Sequence, residues 1–391
     1  MTSTEETVTL TAHCLCKAHT FSTTIPTSKL PLPAHACHCD SCRHSTGALY
    51  TMDTRWPEPR EKVDVSKLKV FHFGPSCHIL FCGTCSTPMF FANPKDTDEE
   101  LGVFTGTVAN FDAGGKEVLK LVEHIFVGDT KDGGATMWMR KINADGTEAK
   151  RFEGRNKGDG DNGYTFDWPA TSSFTGYEAK KEDTIPIRCK CKGVDLILQR
   201  PNYDGVAKED LPWFIDPVTH KPVGLFCACD SCRLFGGIDV FNWTYSGLEY
   251  ISFPSSKSTP SMKSTADLRA LVDGKDSSIG TLTYYASSPG VQRYFCGACS
   301  ACIFYAVDDR PEIVDVAIGV LEASDGARAE GFLSWELGRF DSIKYTEGGW
   351  RRGMLERSAK EAEAWRISRG YPKNWRRAAH EEAETKANAS M

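Results

Sequence analysis

The motif Cys-x-Cys-x-x-Cys-Arg is written twice in this chain, as CHCDSCR from Cys37 to Arg43 and as CACDSCR from Cys227 to Arg233. Two further cysteine motifs flank each copy in the same order. The first set runs HCLC (Cys14, Cys16), the triplet Cys37, Cys39 and Cys42, then FCGTCS (Cys82, Cys85). The second runs RCKC (Cys189, Cys191), the triplet Cys227, Cys229 and Cys232, then FCGACS (Cys296, Cys299). Fourteen of the sixteen cysteines fall in these motifs, so the chain reads as a tandem duplication built around thiols. The separation between copies grows from 175 residues at the first motif to 190 at the second and 214 at the third. Copy two therefore carries insertions between Cys191 and Cys227 and between Cys232 and Cys296. FHFGPSCHILFCGTC (71–85) also parallels YASSPGVQRYFCGAC (285–299), with Pro75 opposite Pro289, so the likeness extends to the backbone beyond the cysteines.

What the thiols are for depends on where they are. The opening MTSTEETVTL has neither a basic segment nor an apolar stretch, so it reads as no secretory signal. No apolar run approaches the roughly 20 residues of a membrane span. A cytoplasmic, or nuclear, location is expected. Thiols stay reduced there, and a cysteine-rich chain is read as metal-binding or catalytic rather than disulfide-stapled. A formal charge of -6 offers no broad basic surface, which argues against nucleic acid as the main partner. Oligomeric state is not fixed by these features.

At 391 residues the chain suits two domains. Expected boundaries are a first zinc domain at 1–140, a flexible linker or long loop at 141–183, a second zinc domain with insertions at 184–350, and a helical tail at 351–391. The linker reading rests on GRNKGDGDNG, rich in turn formers. The tail reading rests on RSAKEAEAWRISRG and the Ala- and Glu-rich run after it, good helix formers read as a solvated appendage. Elsewhere short β-branched and aromatic runs such as TVTLT, KVFHFG, PMFFAN, TLTYYAS and IVDVAIGVL, bounded by Gly and Pro, predict strands. Each copy is expected to be mainly β, with cysteines at turns and strand ends.

Cysteines separated by one or two residues can reach a single ion from one turn. Joining Cys14 and Cys16 to Cys82 and Cys85, and Cys189 and Cys191 to Cys296 and Cys299, gives two four-thiolate sets, each the closed tetrahedron of a structural zinc. Such a site contributes strongly to folding. The triplets offer three thiolates with no recurring fourth partner, which is the ligand count of a catalytic zinc with an open position. The alternative is a second closed site completed by His35, His38 or His44, although copy two has Leu225, Ala228 and Leu234 at those places. Iron–sulfur clusters also use four cysteines, but these spacings do not match ferredoxin patterns. Three thiolates carry more negative charge than zinc carries positive, so the ion is a weak Lewis acid suited to a sulfur ligand, and a thiol substrate is the first expectation.

Other residues carry two readings. Arg43 and Arg233, directly after the triplets, either orient an anionic substrate or pair with a carboxylate. Asp40 and Asp230 read as loop-capping residues first and as groups supporting the metal ligands from behind second, His124 as a structural histidine on a strand, and the unmatched Cys77 and Cys302 as small buried hydrophobes.

The order CxC, CxCxxCR, FCxxC resembles the glutathione-dependent formaldehyde-activating enzyme family, which also includes centromere protein V. The resemblance covers most of both copies and omits the linker and tail. It implies the β-rich zinc fold called a β-tent, a structural zinc on the CxC and CxxC pairs, and a catalytic zinc on the triplet. Two zinc ions per domain follow, with Cys37, Cys39, Cys42, Cys227, Cys229 and Cys232 in the catalytic role. The implied activity is that of S-(hydroxymethyl)glutathione synthase, a carbon–sulfur lyase acting on a small thiol adduct, that of glutathione with formaldehyde. The chain departs from the family where glycine is usual, at Lys17, Lys192, Ser86 and Ser300. Thr87-Pro88 becomes Ala301-Cys302, and an arginine before the last motif is present as Arg293 but is Ile79 in copy one. These departures are read as positions that shape the substrate. Two other functions fit the same motifs: a zinc enzyme of this fold acting on a small non-glutathione substrate in a biosynthetic pathway, for example a decarboxylation, and a non-catalytic zinc-stabilised binding module.

Overall fold

The structure, a computed structural model, describes residues 5–95, 100–158, 160–165, 167–254 and 262–389. Each half opens with an antiparallel hairpin, Thr7–His13 with Thr20–Pro26 and Thr184–Arg188 with Asp195–Gln199. In the first, Leu10 and Ala12 alternate inward while the threonines between them face out, as a half-buried strand requires.

A large sheet follows in each half. In the first the strand order is Lys150–Arg151, Leu119–Ile125, Leu32–Cys37, Thr51–Arg55, Gly102–Phe104, Pro88–Ala92, Cys77–Phe81, Lys69–Gly74. In the second it is Ser334–Trp335, Val223–Cys227, Phe241–Gly247, Ile313–Ala317, Cys302–Val307, Val291–Cys296, Leu282–Ser288. Apart from the extra strand Lys150–Arg151 and its own parallel pairing the two orders are the same, and both sheets have a parallel pairing on the strand that ends in the first cysteine of the triplet. The fold is mainly β and repeats one plan. Between Cys232 and Cys296, where the spacing predicts an insertion, the second half adds helix α3 (Thr265–Asp273), started by a Ser264–Asp267 capping box.

Each triplet opens a short helix, α1 (Asp40–Thr46) and α2 (Asp230–Gly236), both ended by a left-handed glycine, Gly47 and Gly237. These ends form the seam between the halves. The Gly106 amide donates to the Gly237 carbonyl at 3.1 Å and the Gly319 amide to the Gly47 carbonyl at 2.9 Å. A side chain on Gly106 would strike the Ile238 amide, and one on Gly319 the Ala48 carbonyl, so both must be glycine. Each triplet helix is thereby fastened at its far end to the other half.

One expectation is corrected here, and of the two readings of segment 141–183 the long loop is the one observed. The tail forms helices α4 (Arg351–Ser368) and α5 (Trp375–Ala389); α4 is docked rather than solvated, whereas α5 is largely exposed beyond its first turn. Met354, Leu355 and Ala362 are buried, and Arg351, 0% exposed, donates to Asp239 at 2.6 Å and to the carbonyls of Thr105 at 2.6 Å and Val108 at 2.5 Å. An arginine following Trp350 is long enough to reach the seam, and that anchor outweighs the polar composition of the helix. The segment 141–183 has little regular structure but is not free. Lys150–Arg151 pairs in parallel with Glu123–His124, Arg151 and Phe152 are buried, and Tyr164 stacks on Trp168 at 4.0 Å. Residues 159 and 166 of this segment and the last two of the tail lie outside the described residues. Among the described residues no helix is long and apolar enough to cross a membrane.

Candidate metal centres

The CxC turns and the CxxC turns meet as the spacing predicts. The four sulfurs of Cys14, Cys16, Cys82 and Cys85 lie within 4.8 Å of one another, as do those of Cys189, Cys191, Cys296 and Cys299. Individual separations are 3.5 Å (Cys14–Cys16), 3.6 Å (Cys16–Cys82), 3.6 Å (Cys189–Cys191) and 3.5 Å (Cys191–Cys296). A tetrahedron with metal–sulfur bonds of about 2.3 Å has an edge of about 3.8 Å, so the donor sets fit an ion of zinc size. All sixteen cysteines are free thiols. Backbone amides support the thiolates, from His19 to Cys14 at 3.3 Å and from Val194 to Cys189 at 3.2 Å. Such donors favour the charged form that binds metal.

The four departures from glycine sit in these knuckles. Lys17, Ser86, Lys192 and Ser300 have φ of 60°, 61°, 58° and 67°, and each amide closes its turn on the carbonyl of Cys14, Cys82, Cys189 or Cys296 at 2.9–3.0 Å. The turn requires the left-handed conformation, which glycine adopts without strain. Reading these positions as substrate-shaping is therefore corrected: they shape the metal turns.

The triplets form cups. Cys37, Cys39 and Cys42 lie within 4.8 Å of one another, as do Cys227, Cys229 and Cys232, and among the described residues no His, Asp or Glu joins either set. The strand delivers Cys37, and Cys39 caps α1, its sulfur accepting the Cys42 amide at 3.3 Å. Cys229 repeats this with Cys232 at 3.4 Å. The caps are the cysteines themselves, not Asp40 and Asp230 as the sequence suggests. Hydrogen bonds from Cys37 and Cys42 hold the Cys39 thiol down to about 3, and bonds from Cys227 and Cys229, then the Arg293 charge, hold Cys232 well below the thiol range.

None of the three histidines completes the first cup. His35 bonds Glu123 at 3.0 Å, His44 faces Glu322 at 3.9 Å, and His38 bonds His124 at 3.0 Å in the interior. Burial keeps both members of that last pair neutral, His124 down to about 3. His124 is thus structural. Arg43 and Arg233 turn away from the cups as well. Each pairs with the aspartate three residues before it, and Arg233 also donates to the Gly106 and Val108 carbonyls across the seam. Cys302 is fully buried, but Cys77 is only half-buried and lines the first cup's cavity.

The first cup opens on a cavity of about 620 Å³ walled by Phe73, Phe91, Asp53, Glu123 and Asp129. The second opens on about 810 Å³ walled by Trp243, Arg293, Tyr305 and Asp315 and roofed by His380 and Glu384 of α5. Arg293 Nη1 lies 3.8 Å from the Cys232 sulfur, and its guanidinium rests on the Tyr305 ring at 4.8 Å. Sequence motifs reach Arg293 but miss Tyr305, Asp315 and α5. The alternation of CIFYAV and IVDVA, which points Tyr305 and Asp315 to one face as cross-strand partners, was the available signal. Composition announces the helix α5, but nothing local announces that it reaches the second cup.

Residues 9–129 match the family model described as glutathione-dependent formaldehyde-activating enzyme. No curated protein matches the chain. A crystal structure of a Rhodobacter sphaeroides protein is similar at 18% identity over 38% of this chain and 98% of its own, with a TM-score of 0.22.

Proposed function

We propose, on the premise that residues 9–129 belong to the glutathione-dependent formaldehyde-activating enzyme family, that the protein is a zinc enzyme of the carbon–sulfur lyase type. Its substrate is the adduct of a small thiol, glutathione first, with formaldehyde. Two zinc ions are assigned to each of two domains, 1–140 and 184–350. The four-cysteine sets hold the structural ions, and Cys37, Cys39, Cys42 and Cys227, Cys229, Cys232 the catalytic ones.

One observation carries this reading: among the described residues each cup offers three donors and faces a cavity of about 620 or 810 Å³, whereas each knuckle offers four. A closed tetrahedron is a structural site, and an open position admits a ligand. Zinc supplies there a Lewis acid that lowers the pKa of a bound thiol and polarises an oxygen. The chain's own residues do the positioning. The strand ends at Cys37 and Cys227 and the helix caps at Cys39 and Cys229 fix three sulfurs on one side, leaving the cavity side for the substrate. Aromatic rings at Phe73 and Phe91, and at Trp243 and Tyr305, form part of the walls on that side. Holding thiol and aldehyde together there converts an encounter into a first-order step.

Exchange NMR on a glutathione–formaldehyde mixture tests the proposal with zinc-loaded full-length protein and a Cys39→Ser, Cys229→Ser double variant. The wild type is expected to accelerate interconversion of adduct and free thiol, and the variant to fall to the uncatalysed rate. A wild type that binds four ions yet leaves the rate unchanged removes this substrate and leaves the non-glutathione alternatives.

A further inference from the structure

The two cups share their ligands but not their charge. Three thiolates around a divalent ion leave one net negative charge, and the surroundings then decide whether a further anion is tolerated. In the second half the answer lies with Arg293. Its guanidinium is buried, 4% exposed, with Nη1 3.8 Å from Cys232 Sγ and Nε donating to Ser287 Oγ at 3.3 Å. It is held between the rings of Tyr305 at 4.8 Å and Phe235 at 5.5 Å. The neighbouring carboxylate, Asp315, is taken by Arg310 at 2.8 Å. The counter-charge of Arg293 is the cup itself.

The register places a different residue in the first half. Tyr285 faces Arg293 across its hairpin, and Phe71 faces Ile79 in the matching hairpin. Ile79 is buried in an apolar cluster with Phe81 and Phe104. The carboxylates of that cavity are not offset in the same way. Asp129 accepts the Asp40 amide, one residue from Cys39, at 3.3 Å, and Asp53 sits on the cavity wall. Of the cations lining that cavity, Arg55 pairs with Glu100 at 3.4 Å, His35 pairs with Glu123 at 3.0 Å and Arg155 lies 5.8 Å from the Phe126 ring, and among the described residues none bonds a cup sulfur as Arg293 does.

Building on the zinc–thiol reading above, we infer that only the second cup accepts an anionic sulfur ligand. A thiol entering there gives its proton to solvent and its thiolate completes the set of Cys227, Cys229 and Cys232, with Arg293 balancing the added charge. The first cup, with Ile79 at that position and Asp53 and Asp129 in its cavity, takes a neutral fourth ligand and rejects the thiolate. The duplicated protein then has one working cup and one whose ion is not a thiol site.

Cadmium-113 NMR of the full-length protein with cadmium in all four sites reads each site separately, because the resonance follows the number of bound sulfurs. Cys39→Ser and Cys229→Ser assign the two cups, and the knuckle resonances report folding. Glutathione alone is the probe. It is expected to move the second cup's resonance and leave the first in place. Arg293→Ile is expected to weaken this response at least tenfold, Arg293→Lys to restore most of it, and Ile79→Arg to create a response in the first cup. Equal responses from both cups, a response from the first alone, or an Arg293→Ile protein with intact knuckle resonances and unchanged affinity overturns the inference and leaves the thiol reading standing. No response from either cup overturns both. Should the variants lose the knuckle resonances, the wild-type comparison of the two cups still decides.

Discussion

The two halves are alike where the backbone is constrained and unlike where side chains face a cavity. Knuckle turns, triplet caps, strand order and the glycines of the seam recur. Across the cavities, pairing registers set Asp53 against Trp243, Arg55 against Tyr245, Gly102 against Asp315 and Ile79 against Arg293. The seam diverges at one point too. Counting from Gly47 and Gly237, Leu49 stands in the first half where Asp239 stands in the second, and it is Asp239 that accepts from Thr105 at 2.6 Å and from Arg351 of the tail at 2.6 Å. Metal turns and helix ends tolerate few conformations, so they persist. Cavity walls tolerate any residue that packs, so they can acquire new chemistry.

The shared part is tested most severely at a knuckle. A structural zinc contributes about 10–16 kcal/mol in small zinc-finger peptides, comparable with the roughly 5–15 kcal/mol stability of a whole domain. Cys82→Ser and Cys296→Ser are therefore each expected to unfold their half, seen as loss of bound metal and of the cooperative circular-dichroism transition. Cys229→Ser in a cup is expected to keep the transition and lose one ion. A Cys296→Ser protein that melts like the wild type would break the assignment of knuckle and cup.

The seam asymmetry has the next largest effect. Arg351→Met leaves Asp239 buried without its cation, a change that costs about 3–5 kcal/mol. Adding Asp239→Leu, the residue the first half uses, is expected to recover much of that loss in urea titrations. Failure to recover would mean that the tail docks through its apolar face and the ion pair is incidental.

These residues also show what a sequence reveals. Cysteines one and two apart act through a single turn, so both knuckles and both cups were legible from spacing, as were strands from runs such as TVTLT and KVFHFG. Lys17, Ser86, Lys192 and Ser300 were legible as departures, but their meaning lay in a φ angle. The direction of Arg43 and Arg233, toward an aspartate one turn back instead of the cup, is a rotamer choice within the helix. The docking of Arg351 on Asp239 and the arrival of α5 over the second cup join residues more than a hundred positions apart, and no local pattern carries such contacts.

Asp315 against Gly102 gives a pH test of the divergent walls. Burial pushes the Asp315 carboxyl up to about 7 although Arg310 opposes this, whereas an unfolded aspartate titrates near about 3.9. Between those values the folded state keeps a proton that the unfolded state has released. Stability from this group is therefore full at low pH and lost as pH rises from about 4 to about 7, on the order of a few kcal/mol. Asp315→Asn is expected to remove that slope relative to wild type in denaturant titrations across the range. An unchanged difference between the two proteins at pH 4 and pH 7 would place the carboxyl in an ordinary environment and make the two cavities more alike than their linings suggest.

The smallest effect returns to the turns that the two halves share. A non-glycine residue in the left-handed region costs about 1–2 kcal/mol, while glycine adds about 0.4–1 kcal/mol of unfolded-state freedom. Lys17→Gly and Lys192→Gly are thus each expected to stabilise by about 0.5 kcal/mol, read as a raised denaturant midpoint at constant slope. Ser300→Gly should gain less, because its hydroxyl donates to the Ser45 carbonyl across the seam at 3.2 Å. Distant sites add, so Lys17→Gly with Lys192→Gly should sum to about 1 kcal/mol. Glutathione affinity at the second cup should not move in any of them. A changed affinity with unchanged stability would mean that these turns face the substrate after all, and the line between constrained backbone and adaptable wall would have to be drawn elsewhere.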